Sequence, residues 1–101
     1  MASMFAAPSE QPSLRITDVR ISLLDEEKVK AFVTITLEDC FAIRGLKVIH
    51  GNNGLFVAMP SRRKPDGTFQ DIAHPITRET REHVEEAVLT AYHDRLTRDG
   101  W

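Results

Sequence analysis

The chain has 101 residues, of which 42% are hydrophobic and 28% charged, and its formal net charge at pH 7 is -2. This length fits one domain with a single hydrophobic core. Its longest uninterrupted apolar stretch, Leu55 to Met59, is far shorter than the roughly 20 residues that span a bilayer, so no membrane partner is expected.

The N-terminal segment, residues 1–13, shows neither strand alternation nor helical periodicity. It also lacks the basic region of a signal peptide. We therefore predict a disordered leader over residues 1–13, a single domain over residues 14–101 and a cytoplasmic location.

Apolar residues then alternate with polar ones in three successive segments, which predicts three antiparallel strands. The first strand includes Val19 to Leu23, and the second, from Val29 to Leu37, has the clearest alternation. The third runs from Phe41 to Ile49 and is interrupted by Gly45, as a β-bulge would interrupt it. Polar residues separate each segment from the next.

A turn of glycines and asparagines, Gly51 to Gly54, leads into a predicted fourth strand, Leu55 to Met59. From Pro60 to Pro75 the chain is polar, which predicts a long loop containing a β-turn at Pro65 to Gly67. The apolar anchors expected in that loop are Phe69 and Ile72.

A C-terminal helix is predicted from Arg78 to about Arg98, with Thr77 as N-cap and Gly100 at its end. Its apolar face must cover the sheet, because no other large apolar surface is available. The fold class is therefore α+β: an antiparallel four- to five-stranded sheet, wound as a meander, with one C-terminal helix packed on it. One helix covers such a sheet incompletely, so we expect a homodimer. The apolar stripe of the helix comprises Val84, Ala87, Val88, Ala91 and Tyr92.

The sequence offers no convincing catalytic group, metal site, cofactor site or small-molecule site, so we expect a binding protein and not an enzyme. The strongest catalytic candidate is Asp71 with His74, but His74 precedes Pro75 and is better explained as a loop residue bonded to the backbone. Cys40 is the single cysteine of the chain, and we predict it to be a small apolar core residue.

The positive charge is concentrated between Arg44 and Lys64, where no acidic residue occurs. The densest part is the run Arg62, Arg63 and Lys64, and the segment also contains Arg44 and Lys47. Composition alone leaves two interpretations of the run open: a solvated basic loop, or a site for a polyanion such as nucleic acid, whose phosphates accept forked hydrogen bonds from arginine.

Two motifs favour the second interpretation. The segment from Gly51 to Ser61, GNNGLFVAMPS, is followed by Arg62 and Arg63, and the segment from Asp71 to Ile76 reads DIAHPI. Together they resemble the signature of the bacterial stage V sporulation protein G family, SpoVG. The resemblance extends over about residues 16–92.

This resemblance implies a small dimeric β-rich protein that binds DNA and RNA and regulates gene expression. The basic pair of the family falls on Arg62 and Arg63, and its helix arginine falls on Arg81, although Glu82 and His83 follow where relatives often have a second basic residue. We therefore predict DNA, RNA or both as partners. The predicted contact residues are Arg62, Arg63 and Lys64, supported by Arg44, Lys47 and Arg81. The alternative is a non-enzymatic interaction adaptor in cell division.

Overall fold

A computed structural model describes residues 14–100, so the predicted leader and Trp101 lie outside the described residues. The elements follow the order predicted for the main sheet and helix, with two additional short strands between them. They are β1 (Ile16–Leu23), β2 (Val29–Leu37), β3 (Phe41–Gly51), β4 (Gly54–Ala58), β5 (Ser61–Arg63), β6 (Phe69–Asp71) and α1 (Arg78–Asp99).

The first four strands form one antiparallel sheet in the order β1-β2-β3-β4, which confirms the predicted meander. Alternation decides which side chains enter the core, because successive residues of a strand point to opposite faces. Along β2, Ala31, Val33, Ile35 and Leu37 are buried. Leu46, Val48 and Val57 of β3 and β4 complete the same inner face.

The helix α1 covers this inner face, as predicted for the α+β fold. Its buried residues are Val84, Val88 and Tyr92, each four positions after the last, so they form one stripe along the helix. The hydroxyl of Thr77 accepts a hydrogen bond from the backbone N–H of Thr80 at 3.1 Å, which confirms the predicted N-cap. Gly100 ends the helix in the left-handed conformation.

The last turns of α1 are tied to β1 by Arg95. Its guanidinium donates a hydrogen bond to the backbone carbonyl of Ile21 and a second one, 3.1 Å long, to the carboxylate of Asp99. Within residues 14–100, no helix is both long enough and apolar enough to cross a membrane.

The segment from Pro60 to Pro75 is not the long loop predicted from its polarity, because it contains the hairpin of β5 and β6. The two strands are joined by the predicted β-turn: the N–H of Lys64 donates to the carbonyl of Thr68 at 2.7 Å, and the N–H of Gly67 donates to the carbonyl of Lys64 at 2.9 Å. Strands of three residues with both faces in solvent carry no apolar alternation, so the pattern that predicted the other strands missed these.

Two further predictions are wrong because the residues lie in solvent. Phe69 and Ile72, predicted as apolar anchors, are 68% and 66% exposed. Cys40, predicted as a core residue, is also exposed. It lies in the tight turn between β2 and β3, where its N–H donates to the carbonyl of Leu37 and the polar turn carries its side chain away from the core.

Candidate nucleic-acid interface

The hairpin of β5 and β6 carries the two central arginines of the predicted site. Arg62 pairs with Gln70 and Arg63 pairs with Phe69, and both arginines are exposed. Because neighbouring residues of a strand point to opposite faces, the two guanidinium groups leave the hairpin on different sides. The basic run is therefore a two-sided arm and not a single cluster.

The third cation of the run, Lys64, begins the turn of the hairpin and is half-buried. The same turn contains Asp66, whose carboxylate accepts hydrogen bonds from the hydroxyl of Thr68 at 2.7 Å and from its backbone N–H at 3.0 Å. These bonds favour the ionised form and lower the pKa of Asp66, the side-chain bond most strongly. The acidic residue nearest to the basic run thus holds the turn together.

Arg44 lies beside a bulge in β3. The register between β2 and β3 shifts between Val33 and Ile35, and Gly45 takes up a φ of 93° at this point. A Cβ added to Gly45 would lie 3.3 Å from the Cβ of Pro60. Glycine therefore lets β3 approach the residue immediately before β5, and the exposed Arg44 precedes this glycine in the chain.

Lys47 lies on β3, as Arg44 does, and Arg81 lies on α1. Lys47 is half-buried on β3 and pairs across the sheet with Ala58, two residues before Pro60. Arg81 lies in the first turns of α1, and its neighbours Thr80 and His83 border a cleft together with Pro60. The six predicted cations thus come from three elements, β3, β5 and α1, and from the turn of the hairpin.

The six predicted contact cations form no ion pairs within the described chain. Within residues 14–100, the arginines that pair with carboxylates are Arg15, Arg20, Arg78 and Arg95. None of the six predicted contact residues takes part in such a pair. Their charged groups are therefore not held in direct ion pairs of the described chain, which leaves them available to an anion from outside.

The strongest catalytic candidate in the sequence remains unsupported. The Nδ1 atom of His74 lies 3.0 Å from the backbone carbonyl of Pro75, as expected for a loop histidine bonded to the backbone. Among the residues that the structure describes, no three His, Cys, Asp or Glu side chains are grouped so as to hold a metal ion.

Phe69 and Gln70 lie beside the predicted contact arginines, although no sequence pattern pointed to them. Phe69 lies across from Arg63 and Gln70 across from Arg62, so each arginine has a partner of different chemistry beside it. Their positions follow from the strand register, which was not predicted for this segment. The turn signal at Pro65 to Gly67, with two short segments of equal length on either side, was the feature that could have revealed the hairpin.

Beside the hairpin lies an apolar cleft of about 140 Å³. Its walls include Ile16 of β1, Leu46 of β3 and Val84 of α1, together with Met59 and the loop from Ala73 to Pro75. Several exposed apolar side chains belong to the cleft wall or adjoin residues that line it. We refer to these residues as the apolar end; they are Leu14, Ile72 and Ile76.

The model of the SpoVG family matches residues 14–94 of this chain. The chain belongs to the SpoVG family. A SpoVG relative from Anaeromyxobacter sp. (strain Fw109-5) is 60% identical over 86% of this chain and 89% of its own length. One from Clostridioides difficile (strain 630) is 54% identical over 82% of this chain and 91% of its own length.

A third relative, from Myxococcus xanthus (strain DK1622), is 53% identical over 82% of this chain and 84% of its own length. All three relatives carry the name "Putative septation protein SpoVG". The part of the chain that the SpoVG family model matches includes the main sheet, the hairpin and most of α1. Every predicted contact residue therefore lies inside the region that defines the family.

Proposed function

We propose that this SpoVG-family chain is a non-enzymatic, site-selective regulatory protein of the cytoplasm that binds DNA, RNA or both. The observation that carries the proposal is the exposed hairpin of β5 and β6, with an unpaired arginine on each of its faces. Phosphate groups are suitable partners for such an arm, because arginine binds them through forked hydrogen bonds and because binding releases counterions.

The shape of the arm also fits a nucleic acid. The major groove of DNA, about 12 Å wide, admits a two-stranded β-ribbon. A ribbon in that groove presents one face to each wall, so Arg62 and Arg63 would contact phosphates on opposite strands of the duplex. Gln70 projects on the same face as Arg62, so its amide would add a neutral hydrogen bond to the phosphate or sugar beside that contact. Lys64, Arg44, Lys47 and Arg81 would add phosphate contacts around the base of the arm.

The first test replaces Arg62 or Arg63 by alanine and measures affinity for a labelled duplex over a range of salt concentrations. With about five cations on phosphates per protomer, the logarithm of affinity should fall with the logarithm of salt concentration at a slope of about -4 to -5. Each substitution should weaken binding and reduce the steepness of that slope by about 1. An affinity that does not change with salt concentration would disprove the mechanism.

Arg78→Ala is the matched control, because Arg78 is also exposed but is ion-paired with Glu82 at 3.6 Å on the helix surface. It removes the same charge and should change affinity much less. The midpoint of thermal unfolding should stay nearly constant in all three variants, since exposed charges add little stability. A large fall in that midpoint for Arg62→Ala or Arg63→Ala would assign the arginines a structural role instead.

A second function is favoured by the names of the relatives, which refer to septation. In this alternative the same arm recruits an acidic protein partner during cell division. Crosslinking in cells followed by nuclease treatment separates the two functions. Material that nuclease removes supports nucleic acid as the partner, whereas protein adducts that survive nuclease support the adaptor.

A further inference from the structure

The face of the main sheet that points away from α1 carries two half-exposed aromatic side chains. Because Ala31 and Val33 point into the core, Phe32 between them points outward, and it is 46% exposed. On β4, Val57 points inward and Phe56 outward, and Phe56 is 45% exposed. We refer to this side of β1 to β4 as the outer face.

The strand register sets the spacing of the two rings. Phe32 pairs with Lys47 on β3, and Phe56 pairs with Ile49, two residues further along the same strand. From the usual strand separation and rise per residue, the Cα atoms of Phe32 and Phe56 are about 12 Å apart. On β3, Lys47 lies beside Phe32 and Ile49 lies beside Phe56, so one cationic and one apolar residue lie between the two aromatic residues.

The ring of Phe56 packs against the sheet. A Cβ added to Gly51 would lie 2.9 Å from the Cε1 atom of Phe56, closer than real Cβ contacts allow. The ring thus lies directly over Gly51, the residue diagonally across from it. This contact holds the ring against the sheet surface and leaves its other side in solvent, as a stacking surface requires.

The charge of the outer face is positive. The strands β1 to β4 contain one acidic residue, Asp18, and it is ion-paired with Arg20 at 3.1 Å. Arg44, Arg20 and Phe32 border one broad surface depression, which continues to the C-terminal turns of α1, where Asp94, Arg95 and Arg98 line it. Two copies meeting through this face would bring unpaired cations together, which disfavours a second copy as its occupant. A polyanion meets no such repulsion.

We propose that the outer face binds unpaired bases of single-stranded nucleic acid, with Phe32 and Phe56 stacking on two bases and Lys47 contacting the phosphate backbone. This inference rests on the proposed function and specifies the form of nucleic acid bound. Flat aromatic side chains bind bases by stacking, and only unpaired bases expose the faces needed for it. Four-stranded sheets with exposed aromatic residues bind RNA in this way in other folds.

The outer face also connects with the arm. Ala58, at the end of β4, pairs with Lys47, and the chain continues through Met59 and Pro60 into β5. A single strand bound across Phe56 and Phe32 therefore lies near the hairpin, where its phosphates can reach the arginines. The two surfaces would act on one ligand, the arm through phosphates and the outer face through bases.

The test compares affinity for a fluorescein-labelled single-stranded oligonucleotide of mixed sequence with affinity for the duplex formed with its complement. Phe32→Leu and Phe56→Leu keep apolar bulk but remove the aromatic face. Each should weaken single-strand binding at least about fivefold, the lower end of what one stacked base contributes. Duplex binding should change less than about twofold. Phe32→Trp should restore single-strand affinity, because tryptophan stacks as well as phenylalanine does.

Phe41→Leu is the control, because Phe41 is an exposed phenylalanine that pairs with the inward-facing Leu37 and lies away from the outer face. It should leave both affinities unchanged. Ultraviolet crosslinking of an oligonucleotide containing bromouridine should label the peptides that contain Phe32 or Phe56.

Three results would overturn the inference. In the first, the leucine variants bind the single strand normally while Arg62→Ala weakens duplex binding, which leaves the proposed function intact. In the second, Phe32→Leu changes the sedimenting mass, which assigns the outer face to a protein contact. In the third, the affinities for the single strand and for the duplex change neither with the substitutions nor with salt concentration, or neither ligand binds at all. The proposed function then fails as well.

Discussion

Leu46 and Phe69 are both large apolar residues, and their surroundings give them opposite roles. Leu46 is 1% exposed at the centre of the inner face, whereas Phe69 is 68% exposed on the hairpin. Leu46→Ala should lower the free energy of unfolding by about 2–5 kcal/mol, because it removes buried methyl groups and leaves a cavity. Phe69→Ala should change it by less than about 0.5 kcal/mol. Urea denaturation measures both, and equal losses would contradict the assignment of the core.

Asp66 gives the hairpin a pH dependence of its own. The hydrogen bonds from Thr68 lower its pKa in the folded chain, so the carboxylate stabilises the turn at pH values above its ordinary pKa and loses this effect as pH falls through the lowered value. Amide exchange at Thr68 should therefore accelerate in strongly acidic solution relative to the main sheet. In Asp66→Ala the amide should exchange rapidly already at neutral pH and show no such transition. If exchange of the wild-type Thr68 amide does not accelerate in acid relative to the main sheet, Asp66 does not have this role.

At the scale of elements, the approach of β3 to Pro60 depends on Gly45. Gly45 and Gly67 have nearly the same φ, 93° and 91°. A Cβ added to Gly45 would contact Pro60, whereas a Cβ added to Gly67 would lie in open space. Alanine at either position carries backbone strain of about 1–3 kcal/mol. Gly45→Ala should cost more than Gly67→Ala, because the bulge must also open. Thermal unfolding of the two variants measures the difference, and equal costs would show that the contact with Pro60 carries no energy.

The elements that could be predicted from the sequence are those whose apolar residues recur at the regular spacing of a strand or a helix. β2 was predicted from nine alternating residues, and α1 from its stripe and from the capping residues Thr77 and Gly100. The hairpin was missed because its strands bury nothing, and for the same reason Phe69 was wrongly predicted as an anchor. The contact cations were proposed from charge and resemblance, but their distribution over two faces of the arm depends on strand register, which one sequence does not fix.

At the scale of the whole molecule, the exposed surfaces divide into three regions with different chemistry. The hairpin has unpaired cations, the outer face has aromatic rings among cations, and the apolar end has exposed apolar side chains around a cleft. Neither of the first two regions suits contact between identical copies, since both are positively charged. The apolar end carries no such penalty, and burying it from water is favourable. It is therefore the surface through which the predicted homodimer is best formed.

Sedimentation velocity at micromolar concentration tests this arrangement. The wild-type chain should sediment with about twice its mass of 11.4 kDa. Ile76→Asp should shift the mass to that of one chain, because Ile76 is 88% exposed at the apolar end and a carboxylate there would be buried without a partner. Phe32→Ala, on the outer face, should leave the dimer intact.

The unfolding midpoint of Ile76→Asp should become independent of protein concentration, whereas that of the wild type should rise with it. A wild-type chain that sediments only near 11.4 kDa would rule the dimer out, and each protomer would then bind nucleic acid through a single arm.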